Sequence, residues 1–435
     1  MHIRSYVLLA FLLVHTCVHL FSQQAQELDV LAYQLRLTPN LQEQSIEGVV
    51  TIRFCSPTES KEVWLQCGSL KILEVKGAGI HHSKQEGNQL RLSLKDRTSA
   101  EQEVQITYQG NPRKGLVFLT DPMEAYTIFF TNEWMVCHDT PGDFAPIHID
   151  ILIPDSLMCI ASGEFQGQKT IKEGWSLHSY TQAYATPAYV YGWAIGSFSR
   201  YQEQSQHATL YSYSSSYSLP QLAGMSKEMA NMLDFFVQKS GVPYPQSTYS
   251  QLFIGNHYQE MSGFSVLKRT YGELVLSDST ETNLISHELA HQWWGNRICC
   301  ETWTHFWLNE GFATFMSAAY NEYRFGTEKY MADIESYRNV YQKIKARGND
   351  KALVFDRWTN PSGDDRNLVY FKGAYVLHLL KEKLGDEDFW TGIRYYSQMH
   401  LGSSVSTSDF QRAMEQSSNK NLEDFFKRWI YTASD

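Results

Sequence analysis

The sequence has no excess of positive charge: 37 Lys and Arg stand against 47 Asp and Glu, a formal net charge of -10. Such a field repels phosphate backbones and anionic lipid surfaces over long range, which excludes nucleic acid as the expected partner. There is no collagen-like period, no polar tract and no internal repeat. With 43% hydrophobic and 14% aromatic residues, the composition is that of a globular chain able to bury sizeable cores. There is also no uninterrupted apolar run of the ~20 residues a membrane span needs. The nearest approach, Tyr6 to Phe21, is broken by His15 and His19; it follows Arg4 and precedes Ser22, Gln23, Gln24 and Ala25. That layout predicts a cleavable signal peptide over residues 1–24, export to a periplasmic or extracellular address, and no stable membrane anchor. No CxxC pair occurs. Outside the leader stand Cys55, Cys67, Cys137, Cys159, Cys299 and Cys300. An even set in an exported chain permits disulfides, and buried free thiols are the other reading.

At 435 residues the chain exceeds one compact core, so two domains are expected. From about residue 27 to residue 200 the apolar pattern has period two. Tyr33, Leu35 and Leu37 alternate with Gln34 and Arg36; Val50, Ile52 and Phe54 alternate with Thr51 and Arg53; Leu90, Leu92 and Leu94, then Val104, Ile106 and Tyr108, repeat it. Short strands between Gly, Pro, Asn and Asp clusters predict an antiparallel β-sandwich or saddle over residues 25–205. After about residue 205 the period becomes helical, with Met225, Met229, Met232 and Phe236, then segments near 327–345, 373–384 and 407–417. A mainly helical domain is therefore expected over 206–435, making the whole an α+β multidomain chain.

The chemistry concentrates in that second half. His287 and His291 lie four residues apart in HELAHQWWGN, a spacing that puts both imidazoles on one helix face, able to grip one metal ion. Asp278 and Glu281 resemble a helix start and Gly295 with Asn296 a stop, predicting a helix over roughly 280–294. Glu288 projects beside such a metal rather than at it, which suits a base that deprotonates water. Glu310, in WLNEGFAT, follows His291 after eighteen residues, enough for one helix to end and another to return antiparallel. Two histidines and a carboxylate leave a fourth position open, as catalytic zinc requires.

Together HELAHQWWGN, WLNEGFAT and VYFKGAYVL resemble the aminopeptidase-N and leukotriene-hydrolase family of gluzincin zinc peptidases, and the resemblance covers nearly the whole mature chain. YQLRLTPN with EGVVTIRF is similar to that family's amino-terminal saddle, and TPAYVYGWAIGSF to the strand leading toward its catalytic domain. The resemblance implies a thermolysin-like catalytic domain, one zinc ion held by His287, His291 and Glu310, and peptide substrates. It assigns Tyr370 the role of hydrogen-bond donor to the oxyanion of the tetrahedral intermediate. Where the family carries Gly-Ala-Met-Glu-Asn, this sequence has GNHYQEMSGFSVL. Aligning Ser262 and Gly263 with the Trp-Gly that follows in the family puts Glu260 at the glutamate that pairs with a substrate's free amino group. The closing segment TSDFQRAMEQSSNKNLEDFFKRWIYTASD resembles the end of the family's catalytic domain, so a short form without the helical repeat domain is expected. The same residues leave open an endopeptidase, an epoxide hydrolase of the leukotriene type, and a catalytically silent peptide-binding homologue. Oligomeric state has no signal in the sequence.

Overall fold

The computed structural model describes residues 28–56, 60–95, 101–356, 358 and 361–433. The expected leader lies outside these residues. The first half is built on a seven-stranded sheet. Its strand order is Glu164–Lys172, Trp175–Pro187, Phe144–Pro154, Asp29–Asn40, Ser45–Cys55, Gln102–Gly110 and Lys71–Lys76. The alternation read from the sequence sets its faces: Tyr33, Leu35, Leu37, Val50, Ile52, Phe54, Val104, Ile106 and Tyr108 all point into one buried layer. Leu90 and Leu92 join it from a three-stranded sheet, whereas Leu94 is only half-buried. One pairing departs from the antiparallel expectation, since Asp29–Asn40 runs parallel to Phe144–Pro154, with Tyr33 opposite Ile147. The chain reaches Phe144 only after passing through two other sheets, and so long a crossover allows the parallel direction that a tight hairpin forbids.

A four-stranded sheet of Ser199–Gln204, Thr209–Ser214, Thr248–Phe253 and Phe264–Leu267 opens the helical half. The boundary expected between residues 205 and 206 falls in the turn of its first hairpin, where Gln204 pairs with Thr209. The Met stripe splits over two helices, Leu219–Ser226 carrying Met225 and Met229–Ser240 carrying Met229, Met232 and Phe236; all four side chains are buried in one core. Helices Thr327–Ala346, Gly373–Leu384 and Thr407–Ser418 occupy the segments predicted from period. The core is strongly aromatic: Trp293, Trp294, Trp307 and Phe312 are fully buried, with Trp294 stacked on Phe312 at 6.1 Å. Burial of each such ring stabilises the fold by roughly 1.5–3 kcal/mol. All six cysteines outside the leader are free thiols, Cys55 partly exposed and the other five buried. Among the described residues, no helix is long and apolar enough to cross a membrane.

Candidate metal and catalytic site

The histidine helix is shorter than predicted, spanning Asn283–Ala290. Asp278 does not cap it; its carboxylate instead accepts from Thr280 N and Oγ1 in the preceding turn, leaving the helix to start after Thr282. His287 lies in the last turn, and His291 is the first residue beyond, still in helical conformation at φ -57° and ψ -22°. The four-residue spacing therefore still delivers both rings to one face. Gly295 then reverses the chain at φ +131°, and any Cβ there would stand 2.7 Å from His291 Nδ1. Only glycine fits both demands.

Glu310 comes from the helix Trp307–Phe325, which packs antiparallel to the histidine helix: Ser286 meets Ser317, and His287 Nδ1 lies 3.4 Å from Thr314 Oγ1. Gly311, beside Glu310, lets Gly373 approach so closely that a Cβ on Gly311 would stand 3.0 Å from the Gly373 Cα. That contact draws in the π-helical turn Leu368–Lys372, which carries Tyr370. The Tyr370 ring stacks on His287 with centroids 5.8 Å apart and planes at 14°.

Hydrogen bonds fix which ring nitrogens face the cleft. His291 Nδ1–H donates to the Trp294 carbonyl at 2.9 Å, which turns Nε2 toward the cleft. The Thr314 hydroxyl donates to the Glu310 carbonyl at 2.7 Å, so its oxygen can only accept from His287 Nδ1–H, freeing that Nε2. The two Nε2 atoms are 3.1 Å apart, and Glu310 Oε2 lies 3.3 and 3.4 Å from them. These three buried ligand atoms lie within 4.8 Å of one another. Glu310 Oε2 has no well-formed hydrogen bond, and neither has the buried Oε2 of Glu288.

Charge tells the same story. Burial penalises the Glu310 carboxylate, but His291 and His287 beside it hold it down at about 2. Burial likewise opposes the His291 imidazolium, yet Glu310, Glu260 and Glu288 push it up to about 10. Glu288 lies well above the ordinary carboxylate range through burial, helped by Glu260 and Glu310. Burial also raises the Tyr370 phenol, with the three carboxylates adding to it. Three carboxylates thus face two imidazoles in a buried site, a set that calls for added positive charge. Two imidazole nitrogens and one carboxylate oxygen, with an orphaned acceptor among them, are a donor set that fits one zinc ion.

Glu260 is 5% exposed, not a solvated edge charge. Its stretch is held from both sides: Asn296 Nδ2 donates to the Glu260 carbonyl at 3.1 Å, Gln292 Nε2 to the Met261 carbonyl at 3.0 Å, and Gly263 N to Gln292 Oε1 at 2.9 Å. From the sandwich side, Phe129 N donates to Gln259 Oε1 at 2.9 Å and Ser262 N to the Val190 carbonyl at 2.8 Å. Gln259 Nε2 donates to the Glu260 carboxylate. The sequence reading missed Gln292 and Asn296 as positioning groups, although both lie inside HELAHQWWGN. It also missed Phe129 and Phe130, which the stretch AYTIFFTNEWMVCHD brings to the cleft.

Two cavities flank the site. One of about 380 Å³ is lined by His287, Glu288, Leu284, Tyr337 and Phe371. The other, about 530 Å³, shares Glu260, Glu310 and Tyr370 with the first. Its wall is a file of rings in which Phe129, Trp303, Phe306 and Trp358 succeed one another at 5.2–5.3 Å, with exposed Lys114 and Arg366 at the rim.

Residues 225–429 match the peptidase family M1 domain and residues 30–190 the peptidase M1 N-terminal domain. Aminopeptidase M1 of Arabidopsis thaliana is 26% identical over 74% of this chain, and aminopeptidase N of Streptomyces lividans 30% identical over 46%. The chain spans only 38% and 25% of the length of these two relatives. The M1 zinc metallopeptidase of Deinococcus radiodurans shares the fold, with a TM-score of 0.79 at 21% identity over 94% of this chain and 95% of that one. A variant of that enzyme has been solved with a Tyr-Ser-Ala substrate.

Proposed function

The chain belongs to peptidase family M1, and from that membership we propose that it is a zinc-dependent aminopeptidase releasing residues singly from the amino end of peptides. The observation that carries this reading is the buried Glu260 carboxylate, held beside the ligand set, where it shares the His291 imidazole with Glu288 and Glu310. A free ammonium placed there meets the charge the site lacks, and the first peptide bond then lies against His287, His291 and Glu310.

In the family the resident metal is one zinc ion, and His287, His291 and Glu310 would hold it. When bound, zinc supplies Lewis acidity, polarising the scissile carbonyl and lowering the pKa of water. Glu288, its carboxylate raised by burial and by its neighbours, accepts the proton of the attacking water and passes it to the leaving nitrogen. Tyr370, kept protonated by burial and by the surrounding carboxylates, donates its phenol hydrogen to the developing oxyanion. With the amine fixed by Glu260, the first side chain enters the ring-lined cavity and the leaving peptide runs along the other. The apolar segment Tyr6–Phe21 supports export, which amino-terminal sequencing of the protein recovered outside the cytoplasm would test.

The test is hydrolysis of free-amino aminoacyl reporters beside their amino-blocked counterparts, with and without a zinc chelator. Chelator-sensitive release from the free-amino set alone is expected. Cleavage of blocked substrates makes the protein an endopeptidase, and silence on both makes it a peptide-binding homologue.

A further inference from the structure

Next to Tyr370 in the chain, the protein buries a full ion pair that the proposed chemistry does not use. The Lys372 side chain has no solvent exposure; its Nζ donates to Asp350 Oδ1 at 2.8 Å and to the Lys351 carbonyl at 2.6 Å, and lies 5.2 Å from the centroid of the Tyr341 ring. Removing an ammonium from water costs several kcal/mol even after relaxation, and a well-packed apolar side chain often serves stability as well or better. Stability alone is a poor reason for this lysine.

Its place in the chain suggests another. Lys372 closes the π-helical turn Leu368–Lys372, which inserts one extra residue into the helical path. An ordinary helix advances about 100° per residue, so loss of that extra residue would swing the Tyr370 phenol off the cleft by about that angle. Two further ion pairs tie the same segments together, Lys351 with Asp365 and Arg347 with Asp364. Residues 347–351 therefore grip the turn on both sides of Tyr370, while the Gly373–Gly311 contact fixes its distance from Glu310.

We propose that Lys372, paired with Asp350, is a positioning residue that locks the register of the π-turn and so aims the Tyr370 phenol at the oxyanion. The proposal rests on the reading of Tyr370 given above. Its test is a double-mutant cycle between Lys372→Met and Tyr370→Phe, read in kcat, KM and zinc content. Lys372→Met should lower kcat about 10- to 100-fold, the range a displaced transition-state donor costs, with KM within about twofold and zinc retained. In the Tyr370→Phe background the same change should cost no further turnover, because the group it aims is gone. Undiminished kcat in Lys372→Met, or losses that multiply, would overturn the clamp. Full turnover by Tyr370→Phe alone would instead overturn the Tyr370 reading, and the clamp with it. If Lys372→Met does not fold, Lys351→Met, whose side chain is 46% exposed, carries the same cycle with an expected two- to fivefold effect of about one fewer ion pair. Multiplying losses there overturn the proposal equally.

Discussion

Two regions of the helical half bury charge in opposite ways. Around the outer turns of the glutamate helix and its neighbours the charges are matched. Glu228 accepts from Arg324 Nε and the Tyr320 hydroxyl, each at 2.7 Å; Lys381 meets Glu322 at 2.8 Å; Lys372 meets Asp350. At the bottom of the cleft, Glu260, Glu288 and Glu310 converge on two imidazoles, and two of those carboxylates keep an oxygen without a hydrogen bond. Matched pairs hold helices in register. The unmatched cluster costs stability, and such a cost persists where the missing charge arrives with a ligand, here the metal ion and, on the proposed function, a substrate ammonium.

The contrast predicts that changes in the cleft strike turnover, whereas changes at matched pairs away from the Tyr370 turn strike stability. The largest effect is expected from Glu288→Ala: kcat should fall by about 10³-fold or more while zinc stays near one ion per chain, read by steady-state kinetics beside metal analysis. Next, Glu310→Ala should drop the metal content well below one per chain at unchanged fold, because only two ligands remain; retained stoichiometric zinc would remove Glu310 from the ligand set. Tyr370→Phe should lower kcat by about 10²–10³-fold with little change in KM.

At a matched pair the sign differs. Burial works against Glu228, but Arg324, Tyr320 and Asn231 outweigh it and hold its carboxyl below the ordinary range. A depressed folded-state pKa contributes stability that is present above the unfolded value, about 4.3, and is lost as pH falls through the folded value. Glu228→Gln should therefore unfold more readily at neutral pH and lose less stability below about pH 4 than the parent chain, at unaltered kcat. Chemical denaturation across pH reads this directly, and parallel curves would break the assignment. The smallest effect concerns the ring-lined cavity. Aromatic first residues should exceed Lys or Arg by about tenfold in kcat/KM, and Arg366→Glu should narrow the gap, since exposed charges act through about 1 kcal/mol or less.

Much of this was legible in the sequence where the signal is local. Period-two alternation set the sandwich faces, and the spacing of His287, Glu288 and His291 survives a helix that ends early, because His291 keeps helical angles beyond it. The rest depends on contacts far apart in the chain. The parallel pairing of Asp29–Asn40 with Phe144–Pro154 has no turn to announce it. Glu260 could be proposed only from the family motif it aligns with; its burial appears once Asn296 and Gln259 are seen holding its carbonyl and carboxylate and Gln292 the Met261 carbonyl beside it. The cavity wall gathers Phe129, Trp303 and Trp358 from three segments, and the Lys372–Asp350 pair spans 22 residues.

The most direct measurement is mass spectrometry of one unblocked peptide and its amino-acetylated twin after incubation with the zinc-loaded protein. The account predicts a ladder of products shortened one residue at a time from the amino end of the first, and an untouched second. Internal fragments from either peptide would contradict it.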